Sequence, residues 1–275
     1  MTGDPDPRER NRRAWEERAA VHPGTDYYDV EGFLDGGSSL YEIEREELAD
    51  VVDGDTDLLH PMCHFGLDTL SWARVCGSVV GVDFAATAVE QARELAADAG
   101  IENATFVESD VYDLALDRRF DVVFATFGVL GWLDDLDAWA DVLVDHLREG
   151  GHLYVADVHP VAACFHHVGP DGASFDEWSH SYFREAPIHV DADGSYADVD
   201  GEFEHTESVQ YQHPLGEAVS ALTARGLRIE FLHEFPWADF RMFDGMVEDE
   251  QGRWWLPEEV PVALPLTVSL RAVRE

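Results

Sequence analysis

The chain has 275 residues, 45% of them hydrophobic, which suits one large domain with insertions or at most two small ones. It carries 57 acidic and 18 basic residues, a formal net charge of −39, and every basic residue is Arg. That field is a poor match for nucleic acid, whose binding rests on neutralising phosphates, and for anionic membrane surfaces; the lack of lysine excludes Schiff-base chemistry. An acidic, lysine-free chain of ordinary apolar content fits a protein adapted to high salt, where screening offsets self-repulsion. No apolar run approaches the roughly 20 residues of a membrane span. The first residues, MTGDPDPRERNRR, have no apolar core of a signal peptide, and three cysteines in no metal-pair spacing suit a reducing cytoplasm.

Residues 1–55 read as an N-terminal helical and aromatic cap. Arg10 to Ala20 can form a helix anchored by Trp15, Tyr27 and Tyr28 follow a Pro-Gly turn, and Ser38 and Ser39 can N-cap a short helix through Leu48. Residues 56–158 alternate strand and helix. The run Asp57 to Asp83 (DLLHPMCHFGLDTLSWARVCGSVVGVD) is strand, tight turn, helix and strand, with an acid at the second strand's tip. A parallel βαβ unit that ends this way suits ribose binding: the turn cradles the polar end of a nucleoside and the carboxylate takes two hydroxyls.

A helix over Ala85 to Ala99 stops at Gly100. Strands follow at Thr105 to Val107, Phe120 to Ala125 and His152 to Ala156, with an Asp134- or Asp135-capped helix before the last. Such alternation predicts an α/β fold with a parallel sheet, with ligands beyond the strands' carboxyl ends. Residues 159–212, rich in His and aromatics and broken by turns, read as an inserted antiparallel lid with strands near Ser181 to Phe183 and Glu207 to Gln212. Residues 213–275 return to the α/β pattern: a helix from Pro214 to Arg225, a strand from Leu227 to Phe235, an aromatic loop and a last strand from Leu266 to Arg274.

In order and spacing, these segments resemble class I S-adenosylmethionine-dependent methyltransferases. FDVVFATFGVLGWL at 120–133, LREGGHLYVAD at 147–157, VVGVDF at 79–84 and ESDVYDL at 108–114 carry the likeness. The resemblance implies a Rossmann-like sheet of seven strands, mostly parallel with the last antiparallel, helices on both faces, and S-adenosyl-L-methionine as cofactor. The family's first-strand pattern is Asp-x-Gly-x-Gly-x-Gly; here His60 replaces the acid, and Met62 and His64 replace two glycines, which implies an altered loop.

Carried over residue by residue, Asp83 takes the ribose hydroxyls, Phe84 packs on the adenine, and Asp110 accepts its amino group with Val111 beside it. Thr126 and Phe127 line the reacting end, and Cys63, His64 and Gly66 form the floor of the loop. Tyr28, with Tyr27, is expected to close the N-terminal segment over the sulfonium or its carboxylate. Methyl transfer from a sulfonium needs alignment of donor and acceptor, and a general base only where the acceptor must lose a proton. His159 is placed for that role, while His166, His167, Trp178, Tyr182 and His205 fall in the lid. The expected enzyme methylates a small molecule, as a cytoplasmic monomer or weak homodimer, with no nucleic-acid or membrane partner. Trp132, Trp178, Trp237, Trp254 and Trp255 are expected to wall the acceptor. The alternative is a non-catalytic S-adenosylmethionine-binding regulatory module. A metal site from His60, Cys63, His64 and His159 is not expected, because the pair sits on a turn and no second pair follows. A nicotinamide site lacks its Gly-x-Gly-x-x-Gly.

Overall fold

The computed structural model describes residues 6–165, 178–183, 185–198, 200–258, 260 and 263–275; the predicted lid residues His166 and His167 lie outside them. Three helices come first: α1 (Pro7–Val21), α2 (Val30–Leu34) and α3 (Glu42–Leu48). The alternating part follows as β1 (Asp57–Pro61), α4 (Leu67–Ala73), β2 (Ser78–Asp83), α5 (Ala86–Asp98), β3 (Ala104–Glu108), β4 (Phe120–Thr126), α6 (Leu136–His146) and β5 (Leu147–Val158). After α7 (Pro160–Ala163), a hairpin of β6 (Ile188–Asp191) and β7 (Glu207–Gln210) precedes α8 (Leu215–Thr223) and β8 (Leu227–Phe235). Three two-residue strands, β9 (Trp237–Ala238), β10 (Val247–Glu248) and β11 (Trp254–Trp255), form a small sheet before β12 (Thr267–Arg274).

The main sheet has seven strands in the order β3-β2-β1-β4-β5-β12-β8. Its first five strands pair in parallel, and β12 runs antiparallel between β5 and β8, as the resemblance implied. The central strands are buried on both faces, so they read as continuous apolar runs. Alternate side chains serve opposite cores. Leu59, Val123, Leu153 and Val155 pack with Trp139 and Leu143 of α6, while Leu58, Val122, Phe124 and Tyr154 pack with Leu48 of α3 and Trp72 of α4.

Two local expectations change. The strand expected near Ser181 to Phe183 lies instead at β6, opposite β7. Ser39 does not cap α3: its hydroxyl donates to Asp68 Oδ1 at 2.5 Å, on the first turn of α4. The Glu44 carboxylate takes the capping part by accepting the Tyr41 N–H at 2.9 Å. The aromatic loop after β8 builds its own small core from Met242, Phe243, Met246 and Leu266 against Ala162 and Cys164.

Helix α1 is laid across the carboxyl end of β2. Glu16 accepts the Ala86 and Thr87 N–H groups, each at 2.9 Å, where α5 begins with free donors. Asn11 exchanges two hydrogen bonds with the Val209 backbone of β7, and Glu17 accepts the Glu204 and His205 N–H groups. Helix, hairpin and sheet are thereby tied together over the strand tips.

Candidate active site

The loop after β1 keeps the backbone of a glycine turn without most of its glycines. Met62, His64 and Gly66 have φ values of 60°, 52° and 76°. A left-handed non-glycine residue costs roughly 1–2 kcal/mol, so the surrounding structure over-determines this path. At Gly66 no side chain fits, since a Cβ would lie 2.5 Å from the Phe106 ring and 2.9 Å from the Ala92 methyl. Here glycine serves close packing of the turn and α4 on β3 and α5.

The substituted side chains turn away into the protein. His64 Nε2 lies 2.9 Å from His22 Nδ1, and His22 Nε2 lies 2.9 Å from Ser195 Oγ. Trp15 of α1 meets the His64 ring edge-on at 5.3 Å. Burial, then the nearby Arg18, holds His22 down to about 4; burial, then His22, holds His64 well below its usual value. The His60 ring bonds Thr69 Oγ1 at 2.8 Å, packs edge-on to Phe124, and is pushed down to about 3 by burial. A neutral ring thus stands where the family pattern has an acid. Cys63 turns its sulfur inward against the face of Gly81, so only its backbone lines the loop.

Asp83 ends β2 and is 8% exposed. Its Oδ2 accepts the His64 N–H at 2.8 Å and its Oδ1 the Ala85 N–H at 3.0 Å. Burial pushes its carboxyl up to about 6 against these bonds. Phe84 packs with Ala19 and Trp15 beneath α1. The Asp110 carboxylate accepts the Tyr112 N–H of its own turn, and Val111 points into the main core. Thr126 and Phe127 stand at the tip of β4. The Thr126 hydroxyl has no hydrogen-bond partner among the described residues. Phe127 is held at φ 27° with Tyr41 and Phe240 edge-on at 5.0 and 5.9 Å.

The loop, Asp83, Thr126 and Phe127 therefore gather along one edge of the sheet, under α1. Tyr28 joins them, with its hydroxyl bonded to that of Tyr196 and its ring edge-on to Phe65. His159 follows β5: its Nδ1 accepts the Val161 N–H and so caps α7, and its buried Nε2 lies 2.9 Å from Glu234 Oε1 without the geometry of a hydrogen bond. The five tryptophans do not form one wall. Trp132 meets Trp15, Trp178 covers Phe165, and Trp237, Trp254 and Trp255 belong to the small sheet. No group of three or more His, Cys, Asp or Glu side chains among the described residues is arranged to hold a metal ion.

Residues 59–151, from β1 to β5, match the family model of the methyltransferase domain. These residues carry a methyltransferase domain, and the chain has the fold of S-adenosylmethionine-dependent methyltransferases. It is 27% identical, over 77% of its length and 92% of the relative's, to dTDP-3-amino-3,4,6-trideoxy-alpha-D-glucopyranose N,N-dimethyltransferase of Streptomyces venezuelae. Among solved structures it is similar to an S-adenosylmethionine-dependent methyltransferase from Clostridium acetobutylicum, with a TM-score of 0.60, 13% identity, and 95% and 99% of the two chains covered. It is also similar to the N-methyltransferase NodS from Bradyrhizobium japonicum in complex with S-adenosyl-L-homocysteine, with a TM-score of 0.51, 14% identity, and coverage of 96% and 98%.

The methyltransferase site fits its cofactor on three observations. The left-handed path at residues 62, 64 and 66 is kept although two of the glycines are gone. An ionisable acid stands at the tip of β2 with its oxygens tied only to backbone N–H groups. On α1, Arg18 is 6% exposed and its Nη1 has no hydrogen-bond partner among the described residues, an arrangement that awaits an anion such as an amino-acid carboxylate. The cofactor supplies an activated methyl group; the chain supplies orientation and exclusion of water. Arg18 was not legible in the sequence, where it is one of five arginines between positions 8 and 18.

Proposed function

We propose that this methyltransferase transfers the methyl group of S-adenosylmethionine to a small molecule that enters on the β4–β5–β12 side of the sheet. The observation that carries the reading is the position of Thr126 and Phe127. They stand at the tip of β4, two strands from Asp83 across β1, with the rings of Tyr41 and Phe240 edge-on to Phe127. On this reading Asp83 holds the ribose, and Asp110 and Phe84 flank the adenine. The backbone of Cys63, His64 and Gly66 supports the methionine part, and Tyr28 closes over it. His159, capping α7 and facing Glu234, orients the end of β5 rather than taking a proton.

The likeness to an amino-sugar N,N-dimethyltransferase supports a compact, polar acceptor and transfer to nitrogen. The three cysteines are free and buried, which supports residence in the reducing cytoplasm. No helix of the described residues is long and apolar enough to cross a membrane. A net charge of −39 supports activity in high salt as a monomer or weak dimer.

The test is calorimetry with S-adenosylmethionine in molar salt, followed by transfer of labelled methyl to a panel of amines, alcohols and carboxylates. Micromolar binding with transfer to at least one panel member is expected. Binding without transfer to any would favour a regulatory module, and absence of binding to folded protein would remove both readings.

A further inference from the structure

The turn that leaves β4 changes faces of the sheet. Phe127 packs with the cluster of Leu48, Trp72 and Phe124 on the α3–α4 side, whereas Val129 and Leu130 are buried in the core on the α6 side. The chain makes this crossing with two successive left-handed residues, Phe127 at φ 27° and Gly128 at φ 78°. Gly128 is exposed, and a Cβ there would meet nothing within 4 Å, so glycine serves the backbone angle alone. Phe127 has no such freedom, because a side chain strains the left-handed region. The surrounding structure has to hold this turn in place.

Asp157, next to last in β5 and 3% exposed, supplies the hold. Its Oδ1 accepts the Gly128 N–H at 2.8 Å, and its Oδ2 accepts those of Val129 and Leu130 at 2.9 and 2.8 Å. Oδ1 also accepts the Val158 N–H at 2.7 Å. Successive N–H groups turned to one side form an anion-binding nest, and here the occupant is the chain's own carboxylate. Each oxygen holds two donors, which uses its lone pairs and leaves the acid nothing to offer a ligand. The main chain adds one bond, from the Phe127 N–H to the Ala156 carbonyl at 3.0 Å. The same turn also receives the hairpin and α1: the Tyr211 N–H donates to the Gly131 carbonyl at 2.8 Å, and Trp132 meets Trp15.

We propose that Asp157 is a positioning residue of the methyl-transfer site: by filling the nest it holds Phe127 in its left-handed conformation and sets where the turn after β4 meets the cofactor's methyl group. The inference rests on the methyltransferase reading and adds to it a residue that acts through Phe127 without touching cofactor or acceptor. Transfer depends on alignment of methyl, sulfur and acceptor, and a wall misplaced by about 1 Å can cost about 100-fold in rate. Bonds from N–H groups to a buried carboxylate are charge-assisted, and losing the acceptor strands buried donors, so the turn is stiff while the acid is present. An anchor of the fold alone would affect every ligand alike. A positioning residue affects the methyl end and spares the ribose end, which Asp83 holds two strands away.

The experiment measures binding of S-adenosylmethionine, S-adenosylhomocysteine and 5′-methylthioadenosine by calorimetry in molar salt. The proteins are the full-length chain, Asp157→Asn, Gly128→Ala and the double variant. S-adenosylhomocysteine lacks the methyl group and its sulfonium charge, so the ratio of the first two affinities reads the reacting end. Methylthioadenosine reads the ribose and adenine end. In Asp157→Asn, which keeps one acceptor oxygen, S-adenosylmethionine affinity should fall at least about tenfold, while the other two stay within about twofold. Gly128→Ala strains the same turn with the acid intact, and should shift the ratio in the same direction. The double variant should fall short of the sum of the two logarithmic effects, as for two changes in one unit. An unchanged ratio in folded Asp157→Asn, an equal loss for all three ligands, or additive effects would overturn the proposal and leave Asp157 an anchor of the fold. If Asp157→Asn does not fold, Gly128→Ala decides: a shifted ratio supports the proposal and an unchanged one overturns it. These outcomes leave the methyltransferase reading standing; absence of S-adenosylmethionine binding to the folded, unsubstituted chain would remove that reading and the proposal with it.

Discussion

Replacing Asp83 with Asn separates cofactor binding from folding at one atom. The carboxylate accepts the N–H groups of His64 and Ala85 at 2.8 and 3.0 Å. Asn offers one carbonyl oxygen, so one of those buried donors loses its acceptor, at about 1–3 kcal/mol. Against this, the rise of the Asp83 carboxyl from 3.8 to about 6 means that keeping it ionised costs the fold about 3 kcal/mol at neutral pH. The two effects oppose at similar size, so the variant should stay folded, with stability changed by less than about 2 kcal/mol. On the proposed reading binding should not be spared, because the ribose hydroxyls would lose a charged acceptor worth about 1.5–3 kcal/mol, or about 10- to 150-fold in Kd.

The pH dependence follows with a definite sign. The folded-state value lies above the unfolded one, so between about pH 4 and 6 the native state holds a proton that the unfolded chain releases. Stability of the free protein from this group therefore falls as pH rises through that window, and is flat above it. Cofactor affinity moves the other way, weakening below about pH 6 as the carboxylate is protonated. Calorimetry from pH 5 to 8 on both proteins measures this. An affinity unchanged in the folded Asn variant, or a low-pH loss of equal size in both proteins, would show that Asp83 does not hold the ribose.

Two further predictions address the frame around the site. Gly66→Ala places a methyl 2.5 Å from the Phe106 ring at a φ of +76°, so strain and overpacking together should cost about 2–4 kcal/mol; a melting temperature within a degree of the parent's would contradict that packing. Glu16→Ala removes the acceptor for the Ala86 and Thr87 N–H groups, where α1 docks on α5. Solvent can rehydrate part of this half-exposed site, so about 1–2 kcal/mol should be lost, read as faster amide exchange in α1 but not in β4. Burial raises Glu16, but its bonds to Thr87 and Ala86 outweigh that and depress it overall; α1 docking should therefore weaken as pH falls below the ordinary glutamate value.

The sequence by itself determined the sheet, the alternation of its helices and the residues at its strand tips. Continuous apolar runs such as FDVVFA and capping signals such as Asp135 are local, and the α/β pattern follows from their order. Asp83 was legible because an acid at the end of a βαβ unit has a fixed place in space. His159 was legible as a position but not as a partner to Glu234, which arrives from β8, a strand distant in sequence. The His60, Met62 and His64 substitutions were visible as departures. That the backbone keeps its left-handed path, while His64 reaches back to His22 of the N-terminal segment, was decided by tertiary packing.

Glu44 was among the least legible features. Among 57 acidic residues, nothing local marks it as different from surface carboxylates, yet in the fold it is 1% exposed and burial pushes its carboxyl well above the usual carboxylate range. Charge in a sequence says how many carboxylates a chain has; only the folded dielectric decides which of them lack water.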